Sequence, residues 1–381
     1  MSRPGRGASA RDWDEADVRV RPNKKGSRPR TKDRPAHEDA VRGRVITVDR
    51  GRYTVHLSED ELGPAREVSA MRARELRRQP VVTGDLVDLV GDLSGAEGTL
   101  SRIVRIEDRQ TVLRRSADDS DAMERVVVAN VDTLVIMVAA ANPEPRTGFI
   151  DRALVAAYDA GIEPVLCITK TDLKDPSDLL AHYRELDLEV LTSASSTPVQ
   201  DTAHQDLEHP AQLDPPLNSA LLAALRQRLD GHISALVGPS GVGKSTLINA
   251  LTGSERATGH VNAVTGRGRH TSSSALALPL PGADGTVRED TWVVDTPGIR
   301  SFGLGLVDPD RVIEAFDDLS PALADCPKGC THAEGAIGCA LDRWVAAGHA
   351  GPAGPRRLES LRRLLSGRSD APVAAPPRDG R

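Results

Sequence analysis

A chain of 381 residues, 39 % hydrophobic and 27 % charged, has the length for two or three domains and an ordinary soluble composition. No run of about eighteen apolar residues offers a membrane-spanning helix, and Met1 to Arg11 has no apolar segment of the signal-peptide kind, so the expected location is cytoplasmic. The net charge of −6 is unevenly spread: residues 1–38 carry 11 Lys+Arg against 6 Asp+Glu, residues 355–381 carry 7 against 3, and residues 116–354 carry 17 against 33. Basic ends around an acidic middle suit a polyanion held at the ends.

Residues 1–38 are rich in Arg, Lys, Pro, Gly and Ser with few apolar anchors, and are expected to form a disordered basic tail. Over 39–118 the texture becomes β. The runs Arg44–Val48, Arg52–Leu57, Leu86–Val90 and Gly98–Val104 are separated by glycine or acidic turns. They predict a small all-β barrel, and a five-stranded oligonucleotide-binding (OB) fold suits the length. Arg72, Arg74, Arg77, Arg78, Arg102, Arg105, Arg114 and Arg115 decorate it, whereas Tyr53 is its only aromatic residue. Such a surface suits the backbone and shape of folded RNA better than stacked bases.

Over 119–318 strands and helices alternate, which predicts a parallel sheet. Val131–Val138 reads as a buried strand, Ile150–Ala160 as an amphipathic helix and Pro164–Ile168 as a second buried strand. Thr197–Pro216 is polar and proline-bearing, hence an exposed loop; helix Leu217–Leu229 and strand Ile233–Val237 follow. Cys167 lies in an apolar run and reads as a buried, inert thiol.

That last strand runs into Gly238-Pro239-Ser240-Gly241-Val242-Gly243-Lys244-Ser245, and a helix, Ser245 to Leu251, follows it. Strand, glycine loop and helix in this order form a phosphate-binding loop. The three glycines let the backbone turn its N–H groups toward phosphates, and the helix N-terminus adds partial positive charge. Lys244 would reach the β- and γ-phosphates, with the Ser245 hydroxyl on magnesium and Thr246 beside it. Downstream, strand Trp292–Val294 ends in Asp295-Thr296-Pro297-Gly298. Asp295 there suits the magnesium shell, and Gly298 can offer its N–H to the γ-phosphate. Between them, Gly266-Arg267-Gly268-Arg269-His270-Thr271-Ser272-Ser273 reads as a loop that orders when a hydroxyl meets magnesium and phosphate.

Base choice is assigned to Thr169-Lys170-Thr171-Asp172, after the strand at Val165. The Asp172 carboxylate can accept from the guanine N1–H and exocyclic amine, a donor pair that adenine lacks. Lys170 would lie along the base, and Ser193-Ala194-Ser195 would close its other edge. These pieces precede the phosphate loop, whereas ordinary Ras-like GTPases have them after it. Moving the chain break leaves such a site intact when the ends of the sheet lie close together. Beyond residue 318, Cys326, Cys330, His332 and Cys339 supply three sulfurs and one imidazole, a full shell for structural, tetrahedral zinc. Arg356, Arg357, Arg362 and Arg363 mark a basic C-terminal helix.

The order Thr-Lys-x-Asp, glycine loop, Gly-Arg-Gly-Arg-His-Thr, Asp-Thr-Pro-Gly and a Cys/His cluster resembles the RsgA (YjeQ) family, over roughly residues 40 to 345. The resemblance implies a multidomain protein with an N-terminal all-β OB-fold barrel (39–118), a central α/β circularly permuted P-loop GTPase domain (119–318), a mainly α zinc-binding domain (319–368) and a flexible tail (369–381). It implies bound GTP or GDP, Mg2+, one structural Zn2+, and GTP hydrolysis stimulated by the small ribosomal subunit and its rRNA. A monomer and no membrane partner are expected. Two departures stand out. Thr169 replaces the family's asparagine, and Thr271-Ser272-Ser273-Ser274 replaces a run of threonines. Ras-like enzymes position water with a glutamine after Asp-x-x-Gly; here that place is Ile299, so His270 is the candidate, a role the resemblance supports. A competing reading is an ATP-dependent P-loop enzyme, such as a small kinase. Another is an RNA-binding module that senses nucleotide without turnover.

Overall fold

In the computed structural model, the described residues are 37–61, 63–76, 79–116, 124–193, 219–254, 275–282, 285–296, 302, 304 and 307–369. The chain begins with five strands: β1 (Val41–Asp49), β2 (Arg52–Leu57), β3 (Arg66–Arg72), β4 (Leu86–Gly91) and β5 (Ser101–Ile106). β1 pairs with both β2 and β4, β2 with β3, β3 with β5 in parallel, and β5 with β4. These pairings close a five-stranded barrel. Alternate residues point inward, so Val45, Val55, Leu57, Val68, Val87, Leu89 and Ile103 fill one apolar core. β1 serves both neighbours along its length, pairing with β4 over Val41–Arg44 and with β2 over Arg44–Asp49, where its register shifts between Val45 and Thr47.

A hairpin of β6 (Val112–Ser116) and β7 (Glu124–Ala129) follows, pairing across the position where the sequence suggests the barrel ends. Next come β8 (Thr133–Ala139), α1 (Thr147–Ala160), β9 (Glu163–Thr169), α2 (Ser177–Tyr183) and β10 (Glu189–Thr192). Then follow α3 (Ser219–Leu229), β11 (Ile233–Val237), α4 (Lys244–Thr252), β12 (Leu276–Pro281) and β13 (Val287–Asp295). Their order is β10-β9-β8-β11-β13-β12, parallel except for β12 against β13. β8 is buried on both faces, and its alternation sorts two cores. Leu134, Ile136 and Val138 join α1 on one side, while Val135 and Met137 join Leu221, Leu225, Leu247 and Leu251 of α3 and α4 on the other. β12 also touches the barrel, pairing Leu276 with Thr47 of β1, so barrel and α/β sheet are continuous.

The C-terminal segment holds α5 (Pro309–Glu314), a 3-10 turn (Ser320–Asp325), α6 (Leu341–Ala346) and α7 (Gly354–Ser369). Leu358, Leu361, Leu364 and Leu365 lie on one face of α7, as spacings of three and four require. With Phe316 and Leu341 they share the core of Ile150 and Leu154 on α1. The segment is thus a layer on one face of the α/β sheet. Arg357 fastens it, donating to Asp318 (2.9 Å), Asp187 (2.8 Å) and the Glu185 carbonyl (2.9 Å). No helix among the described residues is long and apolar enough to cross a membrane.

Candidate functional site

β8, β9, β10, β11 and β13 all end at one edge of the sheet, because they run parallel. In open parallel sheets ligands bind beyond the carboxyl ends of the strands. The glycine loop leaves that edge after β11. Gly241 and Gly243 have φ of 85° and 90°, a left-handed backbone that suits glycine, and Gly243 caps α4. Gly238 is needed for closeness: a Cβ there would lie 2.7 Å from the Met137 carbonyl of β8. Pro239 is half-buried and Ser240 is exposed, while Val242 is buried and anchors the loop in the core beside α4. Ser245 and Thr246 stand half-buried in the first turn of α4.

The Lys244 ammonium donates to the Asp295 carboxylate and to the Thr296 carbonyl (3.1 Å). Asp295 closes β13, opposite Leu236 of β11, and the Thr296 hydroxyl donates to the Leu236 carbonyl. The lysine of the glycine loop and the aspartate some fifty positions later therefore share one spot at the strand ends.

β9 ends in Thr169, which is buried. Its hydroxyl lies 2.7 Å from the Val242 carbonyl in the glycine loop and 3.2 Å from the Val138 carbonyl of β8. Thr169 thus ties the Thr-Lys-x-Asp segment directly to the glycine loop. Lys170, with φ of 56°, sends its ammonium to the Asn142 carbonyl at 2.6 Å. The Thr171 hydroxyl donates to the Ser193 carbonyl, and Ser193 N–H to Ile168 O at 2.9 Å, so the segments after β9 and β10 brace each other. Asp172, three residues beyond the end of β9, is exposed. Ala194, His270, Thr271, Ile299 and Gly298 lie outside the described residues, as do Arg77 and Arg78.

Two contributors escaped the sequence reading. The β8–α1 loop brings Asn142 to Lys170 and Pro143 to within reach of Gly241. An Asn-Pro pair beyond a buried strand is a turn signal, and a turn at that edge of a parallel sheet lines the ligand crevice. Thr171 gives no such signal, because its partner Ser193 is 22 positions away. Cys167 behaves as expected: it is fully buried, and desolvation pushes its thiol up to about 12.

At the other end of the fold, the Cys326, Cys330 and Cys339 sulfurs and a His332 ring nitrogen all lie within 4.8 Å of one another. His332 Nδ1 faces Cys326 Sγ at 3.7 Å and Cys339 Sγ at 3.8 Å. The Ala340 N–H points at Cys326 Sγ (3.3 Å), a donor suited to a thiolate. Burial, with the neighbouring Cys330 and Cys326 sulfurs, pushes the Cys339 thiol up to about 11. Three sulfurs converging on one nitrogen fit a tetrahedral cation of the zinc type, with no position left for substrate.

A family profile described as RsgA GTPase matches residues 106–305. The small ribosomal subunit biogenesis GTPase RsgA of Pseudomonas aeruginosa is 35 % identical over 294 residues, covering 75 % of each chain. Its namesake in Gemmatimonas aurantiaca is 33 % identical over 291 residues, covering 76 % of this chain and 86 % of that one. The crystal structure of YjeQ from Thermotoga maritima aligns with a TM-score of 0.54 at 24 % identity, covering 86 % of this chain and 99 % of that one. YloQ, described as a circularly permuted GTPase, also aligns at 0.54, with 19 % identity, over 88 % and 98 %. These two likenesses concern the fold.

Proposed function

The chain belongs to the RsgA GTPase family and is a GTP-hydrolysing enzyme, and from that premise we propose that it acts in maturation of the small ribosomal subunit, which stimulates its hydrolysis. The barrel follows the OB plan and contacts rRNA phosphates together with the exposed Arg356 of α7. Arg357 and Arg362, expected from the sequence to face outward, are instead engaged by carboxylates of the chain itself. The protein works as a cytoplasmic monomer.

In this reading the amides of Gly238 to Lys244 hold the β- and γ-phosphates, the Lys244 ammonium lies over them, and Thr246 supports the cradle. Ser245, Thr271 and Asp295 are the residues that would hold or orient a magnesium ion, whose charge offsets that of the phosphates. Gly298 offers its N–H to the γ-phosphate. Asp172 selects guanine, Lys170 lies along the base, and Ser193 with Ala194 closes its edge. His270 orients the attacking water, accepting a proton from it as the loop closes. Cys326, Cys330, His332 and Cys339 hold one structural zinc ion.

One observation carries the reading: the Thr169 hydroxyl reaches the Val242 carbonyl at 2.7 Å. That bond ties Thr169 to the glycine loop across 73 positions of chain, which supports a base site and a phosphate site lying side by side. Phosphate release measured with and without purified small subunits tests the function, alongside co-sedimentation under a GTP analogue and under GDP. Stimulated release and analogue-dependent co-sedimentation are expected; turnover indifferent to subunits would contradict the proposal. His270→Ala should lose the stimulated turnover and keep its affinity for GDP.

A further inference from the structure

His332 is completely buried and its two ring nitrogens face different neighbours. Nδ1 looks into the three sulfurs, while Nε2 sits 2.7 Å from Oδ1 of Asp310. Asp310 belongs to α5, outside the Cys/His loops, and is 22 positions from the histidine. We propose that Asp310 is the positioning residue of the metal centre, fixing His332 as an Nδ1 ligand and fastening the Cys/His loops to α5. The proposal rests on the zinc reading above.

The argument is one of proton placement. A neutral imidazole carries one N–H, and the nitrogen that binds metal must be the bare one. With Asp310 accepting from Nε2–H, the lone pair of Nδ1 is free and aimed at the sulfurs. Without that acceptor the proton can occupy Nδ1, directly between Cys326 and Cys339, and block the fourth ligand position. The carboxylate also makes Nδ1 a stronger donor, as outer partners of metal-bound histidines do.

The surroundings hold Asp310 in place. α5 is docked on the end of α1, where the Asp308 N–H donates to Asp159 Oδ1 (2.9 Å) and Arg311 donates to the Asp159 carbonyl (2.9 Å). Asp308 in turn caps α5 by accepting from the Asp310 N–H at 3.1 Å. On the far side, Arg362 donates to the His332 carbonyl (3.3 Å) while paired with Asp342. The histidine is therefore clasped between α5 and α7, and the carboxylates of Asp308 and Asp310 have separable jobs. Asp308 holds the helix; Asp310 holds the ring.

Zinc affinity of the full-length, reduced protein, measured by competition with a chromogenic chelator, tests this. Asp310→Ala should weaken binding by about 10- to 100-fold. Asp310→Asn should lose less, because its amide oxygen still accepts the ring N–H; it also serves should the alanine variant not fold. Asp308→Ala removes the cap but leaves the ring's acceptor, and should lose much less zinc affinity than Asp310→Ala. In cobalt-loaded protein, Asp310→Ala should shift the visible absorption toward a weaker nitrogen ligand. Parent-like affinity in Asp310→Ala, or an equal loss in Asp308→Ala, would overturn the proposal while leaving the metal centre standing. A parent protein that takes up neither zinc nor cobalt would overturn both.

Discussion

Replacing Thr169 by valine keeps the shape of the side chain and removes only its hydroxyl. The residue is 3 % exposed, so no water takes over its bonds. Its single proton serves the Val242 carbonyl at 2.7 Å, with the Val138 carbonyl at 3.2 Å a weaker second acceptor. Stripping the donor from a buried carbonyl costs about 1–3 kcal/mol. If the tether holds the glycine loop in its nucleotide-binding shape, that cost falls on binding, and GDP affinity drops by about 5- to 150-fold. Thr169→Ser, which keeps the hydroxyl, should stay within about threefold of the parent. Titration with a fluorescent GDP at fixed magnesium measures both, with thermal unfolding followed in parallel. A Thr169→Val protein that melts lower yet binds GDP within about twofold of the parent would show that the bond serves the fold alone, and would refute the reasoning.

The Arg357 guanidinium has three acceptors on two loops, Glu185 and Asp187 after α2 and Asp318 after α5, and lies over the Phe316 ring at 5.4 Å. Arg357→Ala should cost about 2–3 kcal/mol by loosening α7 from the α2–β10 loop and the loop after α5, read as a lower denaturant midpoint. The Cys167 thiol, pushed up to about 12 by burial, stays protonated at pH 8 with a thiolate fraction of ~10⁻⁴. A disulfide reagent at pH 8 should therefore reach Cys167 only in denaturant, counting four thiols there and at most three in chelator-treated native protein, since Cys339 is itself buried; a fourth native thiol would contradict the burial.

The α/β sheet was legible because parallel strands covered on both faces read as unbroken apolar runs, and β8 and β9 are of that kind. The barrel was harder. β3 alternates buried Val68 and Ala70 with exposed Glu67, Ser69 and Met71, a pattern too mixed to stand out. β12 carries Pro279 and Pro281, which argue against a strand until the pairing is known: it meets the barrel at Leu276, and the two prolines pair with β13. The glycine loop and the Cys/His cluster declared themselves because their chemistry needs local spacing. What tied them into sites did not. Thr169 to Val242, Lys170 to Asn142, and His332 to Asp310 are contacts between distant positions, and no local pattern encodes them. The C-terminal leucines announced a helix with one apolar face, while α1 as the surface that face covers emerged only from the packing.

Asp172→Asn tests the central claim most directly. An amide in place of the carboxylate loses one of the two bonds from guanine and gains a donor for the C2 carbonyl of xanthine. Affinity for GDP should fall about 100-fold and affinity for xanthosine diphosphate should rise by a comparable factor, since hydrogen bonds to a charged group are worth about 1.5–3 kcal/mol each. A variant that binds GDP as the parent does, and still ignores xanthosine diphosphate, would separate Asp172 from the nucleotide held at Lys244.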